Sequence, residues 1–146
     1  MIPKMLEKFL KEENANYKII RSPASAKEHA RAILVKAGGK NAMVVIPAAC
    51  KFDLEKLRVL LETSDISLMS EWEIAAHFPG FKEGVLPPIG RLYNIPCFVD
   101  ETLLDGESVV FDSGKSKENV QLSSDEYWRI AQAEVGDFRI RQPQVC

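Results

Sequence analysis

Apolar positions along the chain change period several times, and each change marks an element. Met5, Leu6, Phe9 and Leu10 share one helical face, and Pro3 suits a first helical turn. Tyr17-Lys18-Ile19-Ile20 reads as a short strand, and Ser22-Pro23 breaks it. Ser25 and Glu28 have the spacing of a capping box, with room for about one helical turn after them. Ala32-Ile33-Leu34-Val35 and Ala42-Met43-Val44-Val45-Ile46 are apolar at every position, as strands buried on both faces are. Gly38-Gly39 between them reaches positive φ at no steric cost, so the pair is expected to be a β-hairpin.

Pro47 ends the second of these strands. Asp53 is placed to cap a helix in which Leu54, Leu57 and Leu61 share a face. Ile66-Ser67-Leu68 reads as a strand. Ser70 and Glu73 form a second capping box, opening a helix to about Phe78. A Gly/Pro-rich loop then runs from Pro79 to Gly90. Strands are expected at Cys97-Phe98-Val99, Ser108-Val109-Val110-Phe111 and Asn119-Val120-Gln121-Leu122, with a turn at Asp112-Ser113-Gly114. Ser123 and Glu126 make a third capping box before a helix holding Tyr127, Trp128 and Ile130. Hairpins and helices interleave, so the predicted fold class is α/β: a single domain whose mixed, mostly antiparallel sheet is flanked by helices. The expected domain is residues 1–146, with a core over about 5–138 and a polar, flexible tail over 139–146.

Composition narrows the function classes. The 146 residues suffice for one core, and 46% hydrophobic with 27% charged residues is a globular balance. No apolar run approaches the ~20 residues of a membrane span. The N-terminus carries Glu7 early and lacks a signal peptide's apolar stretch, so the expected location is cytoplasmic. A formal net charge of −2 argues against wrapping a long nucleic acid, while leaving room for a local basic patch. Cys50, Cys97 and Cys146 are odd in number and form no CxxC pair. Neither a disulfide framework nor a zinc site is expected, and Cys50 and Cys97 read as buried thiols. His29 and His77 lack metal-ligand companions, so no metal and no cofactor are expected.

No GxSxG elbow and no GxxxxGK[ST] phosphate loop occurs. The segment Gly84-Val85-Leu86-Pro87-Pro88-Ile89-Gly90 remains as the candidate for chemistry. Its prolines fix the backbone, and its glycines let it bend and let a ligand approach. Such a loop can offer backbone N–H groups to a carbonyl or carboxylate oxygen. On these residues alone the simpler reading, a stiff crossover between a helix and a strand, is the one expected.

The wider segment Phe78-Pro79-Gly80-Phe81-Lys82-Glu83-Gly84-Val85-Leu86-Pro87-Pro88-Ile89-Gly90 resembles the signature loop of the YbaK / prolyl-tRNA-synthetase-associated editing domains. Other stretches agree in order: Ala32 to Gly39 with the family's central hairpin, and Val45-Ile46-Pro47-Ala48 with Phe52-Asp53-Leu54 at its strand-to-helix junction. Phe98-Val99-Asp100-Glu101 and Val110-Phe111-Asp112-Ser113-Gly114 resemble its later strands, and Asp125 to Ile130 its closing helix. The resemblance covers roughly residues 5–138.

It implies a trans-acting aminoacyl-tRNA deacylase, which cleaves the ester joining a wrong amino acid to the tRNA 3′ end. In that family the loop holds the aminoacyl carbonyl through backbone amides, and a ribose hydroxyl assists the attacking water. The implied catalytic residues are Gly84 and Arg31, the latter standing where the family carries a positioning lysine. The implied substrate-binding residues are Pro87, Pro88, Gly90, Asp112, Gly114 and Lys36, with Lys40 or Arg91 further candidates for touching the acceptor end. Expected partners are the aminoacyl-tRNA acceptor end and an aminoacyl-tRNA synthetase, with no membrane and no metal.

The chain departs from the family pattern in three places. An arginine's planar head is not equivalent to an ammonium in a tight site. Ser22 to Arg31 replaces what is usually a full helix, which opens a pocket wall. Asp112-Ser113-Gly114 replaces a more usual Asn-Ala-Gly. These departures keep an alternative open: a non-catalytic module of the same fold that binds aminoacyl-tRNA, an amino acid or a synthetase.

Overall fold

The computed structural model describes residues 3–21, 28–79, 86–114 and 118–140. Its elements are α1 (Lys4–Glu12), β1 (Tyr17–Ile20), β2 (Ala30–Ala37), β3 (Lys40–Pro47), β4 (Lys51–Phe52), α2 (Leu54–Leu61), β5 (Ile66–Leu68), α3 (Glu71–His77), a 3-10 turn (Gly90–Tyr93), β6 (Cys97–Asp100), α4 (Thr102–Asp105), β7 (Ser108–Asp112), β8 (Asn119–Ser123), α5 (Ser124–Ala131), β9 (Glu134–Gly136) and β10 (Arg139–Ile140). No helix among the described residues is long and apolar enough to cross a membrane.

The β2–β3 hairpin is the centre. Its register runs from Ala30 opposite Pro47 to Ala37 opposite Lys40, and Gly38 and Gly39 turn the chain at φ of 58° and 82°. Side chains alternate across a strand, so the hairpin feeds two cores. Ala32, Leu34, Met43 and Val45 pack with Leu6, Leu10, Ile74, Ile89 and Tyr127. Val35, Val44 and Ile46 pack on the other face with Leu57, Phe98 and Phe138. Cover on both faces explains why the two strands read as continuous apolar runs.

The mixed, mostly antiparallel arrangement expected is distributed over three sheets. The five-stranded sheet has the order β5-β2-β3-β6-β9, and a three-stranded sheet the order β1-β8-β7. The third sheet pairs β10 with β4. The pairs β3–β6 and β6–β9 are parallel; the other strand pairs are antiparallel. A single parallel bridge, His29 to Val110, joins the two larger sheets.

Local signals acted largely as their chemistry dictates. Asp53 accepts the Glu55 N–H at 3.0 Å and caps α2. Ser70 and Glu73 close a reciprocal capping box on α3. The box at Ser123 is only half closed: Ser123 accepts the Glu126 N–H, but the Glu126 carboxylate turns to the Asn16 N–H and to Arg129. Ser25 and the segment 22–27 lie outside the described residues; after them the chain turns at Glu28 and enters β2 with no helix.

Two expectations are corrected. Arg139 and Ile140 are not the start of a loose tail but form β10, because Arg139 is drawn into the core by Asp100 at 3.2 Å. Residues 141–146, Cys146 among them, lie outside the described residues. Cys50 is disulfide-bonded, whereas Cys97 is a buried free thiol. Disulfide pairing depends on Cα separations set by the tertiary fold, which spacing in sequence does not reveal.

Candidate functional site

The exit half of the Gly/Pro loop is an anchor. All five residues from Leu86 to Gly90 are buried. The fully buried Tyr127 of α5 donates its hydroxyl to the Pro88 carbonyl at 2.6 Å. Burial raises the Tyr127 phenol far above its ordinary range, so it stays a donor. Gly90 sits against the chain beyond it. A Cβ there would stand 2.7 Å from the Ile95 carbonyl oxygen and 2.8 Å from the Cys97 Cβ. The need at Gly90 is for space, not for positive φ.

This packing limits which backbone groups can meet a ligand. Pro87 and Pro88 carry no N–H. The Ile89 N–H donates to the Pro87 carbonyl at 2.8 Å. The Gly90 N–H faces the Cys97 sulfur, whose pKa burial pushes up to about 11. The backbone from Pro87 to Gly90 therefore has no N–H to spare for a ligand. Gly84 lies outside the described residues.

Arg31 stands near the start of β2, where the sheet has a gap. β5 covers only Val35–Ala37, and the Met69 N–H closes on the Leu34 carbonyl at 3.0 Å. At the other end the Val110 N–H reaches the Glu28 carbonyl at 2.9 Å. Backbone groups two residues apart on a strand face the same way, so those of Ala32 face the open edge between these contacts. A cavity of about 270 Å³ occupies the gap. Arg31, Ala32, Ile33 and Leu34 form one wall; Leu68, Met69, Ile74 and Leu86 another; Lys51 and Phe52 complete it. Arg31 and the loop residue Leu86 therefore share one cavity. The Arg31 guanidinium donates to the Cys50 carbonyl at 3.1 Å, and its Nε is buried without a partner. A buried donor left unpaired costs about 1–3 kcal/mol, so such a group points to a missing acceptor.

Other sequence candidates lie elsewhere. Lys36 pairs with Glu73, bracing α3 on β2, and its charge holds the Glu73 carboxyl below its usual range. The Asp112 carboxylate accepts the Gly114 N–H at 2.9 Å, and Gly114 has φ of 88°, so this pair builds a turn at the end of β7. Arg91 is committed to Glu13 at 2.6 Å and to the Ile130 carbonyl at 2.9 Å, and lies over the Phe9 ring. None of these residues lines the cavity. Lys51 does line it, and sequence reasoning passed it over because a lone lysine before a capped helix reads as surface. A second hollow, of about 420 Å³ between α2 and Phe138, is apolar, and its Lys56 and Asp137 already pair at 3.1 Å.

His29 offers a pH test of this region. Burial holds its imidazole below the usual range, with the Asp112 charge opposing. The unfolded chain takes up a proton at His29 as pH falls through about 6.5, while the folded imidazole takes one up only at lower pH. The His29 contribution to stability is therefore complete above that pH and declines below it. Glu13, Glu73 and Glu126 are held low by Arg91, Lys36 and Arg129, so their losses come only below about pH 4.5. Urea midpoints should fall between about pH 7.5 and 5.5, and fall less in His29→Gln. Equal declines in both proteins would refute the assignment.

Residues 14–130 match the family profile described as aminoacyl-tRNA editing domain. No relative among curated proteins matches the chain. Among solved structures, a candidate signal transduction protein from Marinobacter aquaeolei VT8 superposes with a TM-score of 0.84 at 20% identity, over 97% of this chain and 31% of that one. Hypothetical protein APE2540 superposes at 0.81 with 20% identity, over 94% of this chain and 100% of its own. A candidate trans-editing enzyme for prolyl tRNA synthetase superposes at 0.78 with 18% identity, over 94% and 96%. These likenesses establish the fold: a single α/β domain with mixed sheets and flanking helices. With the profile match spanning most of its length, the chain belongs to the aminoacyl-tRNA editing domain family.

Proposed function

We propose that this protein is a trans-acting aminoacyl-tRNA deacylase, hydrolysing the ester between an amino acid and the tRNA 3′ end. The observation that carries this reading is the cavity shared by Arg31 and Leu86 at the gap in β2. Family membership supports the substrate class. The amino-acid side chain enters between Met69, Ile74 and Leu86, and the ester lies toward Arg31. Arg31 positions the 3′ end, taking the role of the family's lysine. The described cavity lining holds no Asp, Glu, His, Ser or Cys. Rate enhancement in this reading rests on orientation, which can supply about 7–11 kcal/mol. The ribose hydroxyl beside the ester orients a water, the water attacks the carbonyl carbon, the acyl–oxygen bond breaks, and the ribose oxygen leaves with the proton the water gives up. An aminoacyl-tRNA synthetase is the expected partner and the cytoplasm the expected compartment.

Amino-acid release from a panel of mischarged tRNAs tests this. Arg31→Ala should slow release about 10- to 100-fold, since a charge-assisted contact contributes about 1.5–3 kcal/mol. Arg31→Lys should retain more of the rate. Absence of release from every tRNA at high enzyme concentration sinks the hydrolase reading. Tight tRNA binding without ester loss would favour a binding module instead, a reading to which the Arg31 bond to the Cys50 carbonyl lends weight.

A further inference from the structure

The charges around the cavity are unbalanced. Arg31 and Lys51 both line it, and no carboxylate does among the described residues. The guanidinium is bonded to the carbonyl of the Cys50–Lys51 peptide, so it lies against the residue that carries the second cation. Lys51 itself is exposed, on a two-residue strand fixed by pairing with Ile140. A like charge nearby disfavours a cation's charged form, and an opposite charge favours it. Lys36, Lys56 and Arg139 each have such a partner here. Among the described residues Arg31 has only the neutral carbonyl, and its buried Nε has no partner. A guanidinium and an ammonium lining one cavity supply the donors that a tetrahedral oxyanion takes: planar N–H groups can grip two oxygens and the lysine adds a point charge.

We infer that Arg31 and Lys51 together seat a phosphodiester at the cavity mouth, so that Lys51 is a positioning residue selecting a nucleotide-linked ester over a free one. The inference rests on the deacylase reading for the source of the phosphate, which is the linkage on the 5′ side of the terminal nucleoside. The apolar wall of Met69, Ile74 and Leu86 then receives the acyl side chain, while the two cations hold the RNA end. Lys51 would thereby fix which way the ester enters. Because Lys51 is exposed, its share is screened by salt.

Two hydrolysis-inert probes isolate the phosphate. One is 3′-alanylamido-3′-deoxyadenosine, and the other is the same molecule carrying a 5′-(methyl phosphate) diester. Calorimetric titration of the intact protein at low salt should show the diester bound about 10-fold more tightly, and the advantage should shrink as salt rises. Lys51→Ala should cut that advantage to about 2-fold, and Lys51→Arg should restore most of it. A purely structural role for Lys51 would weaken both probes by one factor and leave their ratio intact. Such a result overturns the proposal, as would equal affinity of the wild-type protein for the two probes, no binding of either, or inorganic phosphate binding as tightly as the diester. Because these probes carry no ester, a protein that prefers the diester yet releases no amino acid from any tRNA keeps the phosphate seat and loses only the deacylase reading.

Discussion

Asp100→Ala is expected to lower the unfolding free energy by about 3–5 kcal/mol, the usual cost of removing one member of a buried, hydrogen-bonded ion pair. Asp100 closes β6 and is fully buried. One carboxylate oxygen accepts the Thr102 N–H at 3.0 Å, the Thr102 hydroxyl at 2.6 Å and the Arg139 Nε at 3.2 Å. The other accepts the Phe138 N–H at 2.8 Å. Removing it strands an arginine and a backbone donor in the interior at once. Asp100→Asn keeps the shape but loses the charge, so it should cost less. Urea unfolding measures both. A loss under about 1 kcal/mol for the alanine variant would mean that water or a neighbour readily replaces the carboxylate. The consequence reaches the site, because Asp100 and Arg139 place β10, and β10 pairs with the strand that carries Lys51.

Gly90→Ala is the second large effect. The new methyl would meet a carbonyl oxygen at 2.7 Å and a Cβ at 2.8 Å, and neither belongs to the far end of a flexible side chain. Overpacking of this kind costs about 1–3 kcal/mol. The relaxation must pass into Ile89 and Leu86, and Leu86 lines the cavity, so amino-acid release should fall beyond what lost stability explains. Gly106→Ala is the control: its nearest neighbour would be the Ser108 carbonyl oxygen at 3.9 Å, and its effect should lie within about 0.5 kcal/mol. Equal behaviour of the two variants in denaturation and in release would show that the Gly90 packing is soft. Tyr127→Phe probes the same anchor from α5. It leaves the buried Pro88 carbonyl without its donor, at a cost of about 1–3 kcal/mol.

Much of the fold was legible because its signals are local. The φ values that Gly38 and Gly39 adopt, the Asp53 cap and the Ser70–Glu73 box each involve residues a few positions apart. The half-closed box at Ser123 marks where that legibility stops. Its spacing matches the motif, but Glu126 finds a competing donor 110 residues away in Asn16. The short strands β4, β9 and β10 were invisible for a related reason. Two or three residues carry no period, and their pairing comes from partners distant in sequence: β9 on β6, and β10 on β4 beside the bonds of Phe138 and Arg139 to Asp100.

The candidate site divides the same way. The amino-acid sequence alone determined the central hairpin, the main helices and the ordered set of segments that resembles the editing family, since periodicity, capping and turn chemistry are properties of neighbouring residues. It also singled out Arg31 and the Gly/Pro loop. Only the tertiary structure decided that Pro87, Pro88 and Gly90 anchor the loop, that Lys36 is spent on Glu73, and that Lys51 joins Arg31 at one cavity. Those outcomes depend on which groups meet across the core, and on a strand edge left open because β5 is too short to cover it.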